Sequence, residues 1–189
     1  MEDLSIGMQI FSLHYPWDDN GYTPDVHFYL SVFNNSFHLH IETNEQNPRR
    51  EEHHHLNYVH YDSCVEWFVY FAPETCNDYF NFEINANGTL YAAFRKNRSE
   101  FKLLELDDIS LLRIQPTILD DKWIIDFEVP FTFIKKYIPE FQYKEGMTIL
   151  SNFYKCGDRT EYPHFGVWNS IDLPKPDFHR PEFFGKIIL

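Results

Sequence analysis

Residues Val26 to Glu42 alternate apolar and polar side chains on either side of Asn34-Asn35, with Val26, Phe28, Leu30 and Val32 answered by Phe37, Leu39 and Ile41. A period of two puts every second side chain on the same face of an extended strand. Asn tolerates the positive φ that a tight hairpin turn demands. The segment therefore predicts a β-hairpin with one buried face, and that face needs a second layer to cover it.

The pattern recurs along the chain. Asp62 to Phe71, Tyr79 to Ile84 and Thr89 to Arg95 read as strands, the last two joined by Asn85-Ala86-Asn87-Gly88. Leu103 to Ile114 and Lys122 to Val129 read as another pair, with Pro116 and Asp120-Asp121 punctuating the gap. Thr148 to Cys156 reads as a further strand, and Phe184 to Leu189 as one that closes the sheet. Pro130 to Ile138 is the one helical stretch, with Phe131, Ile134, Tyr137 and Ile138 close to one face. From Thr43 to Tyr58 the alternation gives way to a long polar connection, a candidate rim for a binding site. Many short strands, one short helix and no internal repeat predict an all-β fold. The expected architecture is an antiparallel β-sandwich, immunoglobulin-like or jelly-roll-like, formed by residues 1–189 as a single domain.

Composition narrows the function classes. Aromatic residues make up 19% of the chain, more than a core alone requires, so some rings are expected at a surface or cleft. The formal charge of −13 repels phosphate backbones and anionic headgroups, which argues against nucleic-acid and membrane partners. No run of about 18 apolar residues is present to span a bilayer. Met1-Glu2-Asp3-Leu4 has neither the basic nor the apolar region of a secretory leader, so a full-length chain is expected to be cytoplasmic. Cys64, Cys76 and Cys156 form an odd set without CxxC spacing, and are expected to pack as unpaired thiols in a reducing compartment.

Alternation places Asp62, Cys64 and Glu66 on one strand face and Val65, Trp67 and Val69 on the other. Asn81 and Glu83 share a face of the next strand, and Asn152 and Tyr154 a face of a later one. Converging, these groups would make a polar floor able to fork onto hydroxyls that both donate and accept. Trp67 and Trp123 sit in β-patterned stretches and are expected in the core. Trp168, in a Gly/Pro-rich segment, is the single best candidate for a ligand platform.

Asp62-Ser63-Cys64-Val65-Glu66-Trp67-Phe68 resembles the D-S-V-E strand of the family 9 carbohydrate-binding modules, within the DOMON-like β-sandwich superfamily, with one residue inserted. Trp123 to Phe131, Asn152-Phe153-Tyr154, and Trp168 followed by Pro176-Asp177-Phe178-His179-Arg180-Pro181 and Phe184-Gly185 are similar to further stretches of that family. The resemblance runs from about Val26 to Leu189. It implies a sandwich that grips sugar ends between two aromatic side chains with the help of the strand carboxylate, a role that falls to Glu66. Tyr58 or Tyr61 fills the first aromatic position and Phe178 or His179 the second, where the family pattern has tryptophans, and Glu83 stands where a basic residue is expected.

The expected function is non-catalytic carbohydrate binding, of a plant-type or other oligo- or polysaccharide, accessory to glycoside hydrolysis. The ligand-binding candidates are Tyr61, Glu66, Asn81, Glu83, Asn152, Tyr154, Trp168, Phe178 and His179. Three other readings compete. A glycosidase would use Glu66 and Glu83 as paired acids, and a haem domain would draw on Met1, Met8 or Met147, which no pattern pairs with a His. A purely structural interaction domain is the third. No cofactor or metal ligand is assigned: His53-His54-His55 reads as solvated loop. Structural calcium in oxygen-rich loops near Asp107-Asp108 or Asp120-Asp121 is left open.

Overall fold

The computed structural model describes residues 8–189, so the N-terminal residues read above for a leader, and Met1 as a haem ligand, lie outside it. In chain order the elements are β1 (Gln9–Ser12), β2 (Asp25–Phe33), β3 (Ser36–Asn44), β4 (Cys64–Tyr70), β5 (Tyr79–Asn85), β6 (Leu90–Arg95), β7 (Phe101–Leu103), α1 (Leu106–Ile109), β8 (Arg113–Ile118), β9 (Trp123–Pro130), α2 (Phe131–Tyr137), β10 (Thr148–Cys156), β11 (Phe165–Val167) and β12 (Gly185–Ile188). They form two antiparallel sheets, one ordered β1-β2-β3-β9-β8 and the other β11-β10-β4-β5-β6-β7. β12 completes the second sheet on the free edge of β10, beside β11. The predicted sandwich with one short helix at Phe131–Tyr137 is the observed fold, and the C-terminal strand closes the sheet as expected.

The hairpin turns as the sequence indicates, with Asn34 and Asn35 both at positive φ (49° and 57°), and pairs Val26 with Thr43 through Phe33 with Ser36. Its inward face, Val26, Phe28, Leu30, Phe37, Leu39 and Ile41, packs against Val65, Trp67 and Val69 of β4 and Phe80, Phe82 and Ile84 of β5. Trp67 and Trp123 are in this core, each with its indole N–H satisfied, by Ser151 and Glu45 respectively. Burying an indole without such a partner would cost on the order of 1–3 kcal/mol.

The stretch Leu103 to Ile114 is not one strand. Leu103 ends β7, α1 intervenes, and Leu104, Ile109 and Leu112 are buried together, a spacing that suits a turn of helix better than a pleat. Pro116 lies within β8 rather than in a gap, which is tolerated because β8 is the sheet edge and its missing N–H removes no ladder bond toward a further strand. β1 and β11, each short, were also not expected.

The two sheets differ in a way that positions the site. In β4 nearly every residue is buried on both faces, and β5 is fully buried. Chain from the long connections, residues 45–62 and 157–184, covers part of the outer face of this second sheet. Asp62 anchors the first of these: its carboxylate accepts hydrogen bonds from Arg49, the Glu52 amide and Asn85. It therefore holds a loop rather than facing a ligand.

Candidate functional site

On the outer face of the second sheet the cross-strand register brings Glu66 of β4 opposite Glu83 of β5 and Tyr154 of β10, and sets Tyr91 of β6 opposite Glu83. Above this face lies a cavity of about 280 Å³, floored by Glu66, Glu83, Tyr91, Arg95 and Cys156. Its walls are Tyr58 and His60 from the segment before β4, Asp158 and Phe165 from the chain after β10, and Pro176 to His179.

Each polar group is held in place. The Asn81 amide donates to Glu83 Oε1 at 2.8 Å and its oxygen accepts from Arg95 Nε at 2.6 Å. Arg95 also donates to the Tyr91 hydroxyl and lies 4.1 Å from the Phe101 ring centroid, so it is spent on holding the floor. His60 Nδ1 lies 3.6 Å from the second oxygen of Glu83, and that carboxylate raises the imidazole above its ordinary range. Glu66 is only 4% exposed, and burial first, then Cys156 and Glu83, raise its carboxyl well above the usual carboxylate range. Its hydrogen-bond partner among the described residues is the Cys156 thiol, 3.1 Å from Oε1.

The aromatic walls are unequal. Phe178 stacks on buried Tyr154, while Tyr58, 60% exposed, is backed by Tyr61 at a 5.3 Å centroid separation. The Arg159 guanidinium covers the Tyr61 ring at 3.6 Å. His179 lies over Phe68 and within 3.0 Å of the Tyr79 hydroxyl through Nδ1. Burial, then Arg95, Arg98 and nearby His60, lower it to about 3, so it is a neutral ring. Its Nδ1 is engaged with the Tyr79 hydroxyl, which leaves Nε2 as the other polar atom of the ring.

Of the nine candidate residues, Glu66, Glu83, Phe178 and His179 line the cavity. Asn81 and Tyr154 lie directly behind it, the first holding Glu83 and Arg95, the second supporting Phe178. Three are placed elsewhere. Tyr61, the last residue of the 3₁₀ turn Val59–Tyr61 that leads into β4, stacks behind Tyr58, and it is Tyr58 that lines the cavity. Asn152 is consumed by the Asn169 backbone, donating to its carbonyl and accepting from its amide. Trp168 is no wall of this cleft: it packs edge-on against Phe11 at 4.7 Å and against Phe153. Its ring lies so close to Gly185 that a β-carbon there would come within 2.6 Å.

Sequence reasoning missed His60, Tyr91, Arg95, Asp158 and Cys156. The alternation of Tyr91, Ala93 and Arg95 continues the polar face from β5 and was a usable signal. His60 and Asp158 come from connections, which carry no periodicity.

A larger groove of about 980 Å³ lies on the outer face of the first sheet, lined by Tyr29, Phe33, His38, His40, Arg113, Asp126 and Glu128 among others. Its charged groups already pair with one another, His40 with Asp126 and Arg113 with Glu128, and its Phe33 and His38 rings stack together at 3.6 Å. Its polar groups are thus less free to take a ligand than Glu66 is.

The family model described as Carbohydrate-binding family 9 matches residues 5–189. Among solved structures, the chain is similar to a proposed carbohydrate-binding protein from Bacteroides uniformis, with 26% identity and a TM-score of 0.84, over 96% of this chain and 86% of the other. It also shares its fold with a family 9 module from Caldicellulosiruptor kristjanssonii solved with cellotriose, at 12% identity and a TM-score of 0.66, over 96% of this chain and 82% of the other. The same organism's module solved with glucose aligns at 12% identity and a TM-score of 0.62, over 94% and 83%. No curated protein is a significant match to this chain.

Proposed function

The chain belongs to carbohydrate-binding family 9, and on that premise we propose that the cavity over β4 and β5 binds one end of an oligosaccharide without chemical change to it. The observation that carries this reading is the placement of a buried carboxyl, Glu66, with one hydrogen-bond partner among the described residues, in a cavity walled by the aromatic rings of Tyr58 and Phe178. Pyranose rings present an apolar C–H face to aromatic π-surfaces and a ring of hydroxyls to polar groups, so aromatic walls and a polar floor match both halves of a sugar. Glu66 and Glu83 accept from hydroxyls, and the neutral His179 ring offers its second nitrogen to another. The volume is at the small end for ligand sites and suits one or two sugar units rather than a long internal segment.

Calorimetric titration of the full chain with cellotriose and with glucose, the sugars held by the similar Caldicellulosiruptor modules, tests this. Saturable binding is expected, weakened by Tyr58→Ala, with the sugar recovered intact by chromatography. A panel of oligosaccharides that all fail to bind would remove the reading, and shortened products would replace it with the glycosidase alternative, for which the facing Glu66 and Glu83 supply a pair of acids.

A further inference from the structure

We propose that Cys64, Cys156 and Glu66 form a three-ligand site for a thiophilic divalent cation, zinc above all, in the floor of the cavity, with the fourth coordination position turned toward it. Cys64 and Cys156 are register partners across β4 and β10, and both are free thiols. Glu66 follows Cys64 by two residues and so projects from the same face. One sulfur from each cysteine and a Glu66 oxygen all lie within 4.8 Å of one another. Two thiolates on a tetrahedral zinc, with Zn–S of about 2.3 Å, stand about 3.8 Å apart, which is within the 4.8 Å that bounds the separations of these ligand atoms.

A second observation points to a ligand. Glu66 is 4% exposed, yet the one hydrogen bond it makes among the described residues is to the Cys156 thiol. Glu83 faces it across the strand pair, and like groups placed so repel unless a proton or cation stands between them. Of the nearby cations, His60 stands 3.6 Å from the far oxygen of Glu83, Arg95 is committed to Asn81 and Tyr91, and Lys155, on the opposite face of β10, to Glu45, so among the described residues none pairs with Glu66. A cation held by the two sulfurs would meet this need. Thiolate donors select zinc and other soft ions over calcium or magnesium. Three protein ligands with one open position make a site that also takes a water or a ligand hydroxyl. The site stands on these three side chains and does not depend on the carbohydrate reading.

The test uses the full chain, reduced and stripped of metal, titrated with Co²⁺ and then with Zn²⁺ in competition with a chromogenic chelator. One equivalent of Co²⁺ should give a thiolate-to-cobalt charge-transfer band that Zn²⁺ removes, and Cys76→Ser should leave it unchanged. Cys64→Ser and Cys156→Ser should each weaken zinc binding by more than the roughly 10- to 100-fold that loss of an outer-shell partner costs. Where a serine variant does not fold, zinc should raise the urea midpoint of the parent chain and of Cys76→Ser alike, since a metal held only by the folded site stabilises it. Absence of the band, its survival in both serine variants, or a urea midpoint unmoved by zinc would overturn the site. Cellotriose titration separates the two readings: sugar binding without zinc binding overturns only the metal site, and zinc binding without sugar binding overturns only the carbohydrate reading.

Discussion

Phe178 lies flat on Tyr154, with ring centroids 4.2 Å apart and planes 10° from parallel, and the Tyr154 hydroxyl donates to the Phe178 carbonyl at 3.2 Å. Ring and backbone of the same residue are thus held by one fully buried tyrosine on β10. A cavity wall carried on a loop is in this way given the rigidity of the sheet beneath it, so the entropy of ordering that ring is spent on folding and not on binding. The other wall, Tyr58, stacks on Tyr61 and meets His60 edge-on, both from its own short turn, and remains largely exposed.

This asymmetry separates two substitutions. Tyr58→Ala should weaken binding of an oligosaccharide roughly three- to tenfold, the loss of one aromatic contact, with no change in melting temperature. Phe178→Ala should weaken binding at least as much and also destabilise the fold, because it uncovers Tyr154. Calorimetry paired with thermal melts checks both. A Tyr58→Ala variant that binds like the parent would place the sugar elsewhere.

Glu83 is held by Asn81 on one oxygen and approached by His60 on the other, so its carboxylate is oriented before a ligand arrives. Glu83→Gln should weaken sugar binding about ten- to a hundredfold, the range for a hydrogen bond to a charged group. Glu66→Gln should cost less than Glu66→Ala, since burial already favours the protonated acid that glutamine imitates. Affinities of the three variants for one sugar test the order, and equal affinity for all would remove both acids from the site.

Trp168→Ala should lower stability by about 2–4 kcal/mol through lost packing on Phe11 and Phe153, leaving a cavity beside Gly185. Sugar affinity of the folded fraction should be unchanged. Urea denaturation combined with titration below the transition distinguishes this from a binding role.

Stability should fall as pH drops below about 6.5, and two histidines contribute. His179 is faced by Arg95, Arg98, His60, Tyr79 and Asp177, and is lowered to about 3, burial being the largest cause. His164 is faced by Lys155, Glu45 and Tyr22, and is lowered to about 4, again chiefly by burial. Between these values and the ordinary histidine range the unfolded chain binds more protons, so stability is present above about pH 6.5 and lost as pH falls toward 3–4. His60, raised beside Glu83, works in the opposite direction: its contribution is present at low pH and lost as pH rises. His179→Phe should flatten the acid limb of a stability curve measured by urea denaturation from pH 7 to 4. An unchanged slope would show that His179 carries none of it.

Much of the sandwich was legible because period-two alternation states which face of each strand is buried, and a one-residue error would turn a whole strand inside out. The hairpin at Asn34-Asn35, the core face of β4 with Trp67, the strand Thr148–Cys156 and the helix after Pro130 follow from local pattern and turn chemistry. The same alternation placed Glu66 and Glu83 each on the polar face of its own strand. It could not say which strand lies beside which. Only the tertiary structure set Glu66 opposite Glu83, brought Cys156 to Cys64, and drew Tyr58, Phe178 and His179 from connections more than a hundred residues apart onto one cavity. It also packed Trp168 against the edge of the core rather than in the cleft, through contacts with Phe11 and Gly185 that no local pattern contains. A strand's face is decided by neighbours one and two residues away and is written in its own sequence. A loop side chain's position is decided by the surfaces it meets, and those belong to distant parts of the chain.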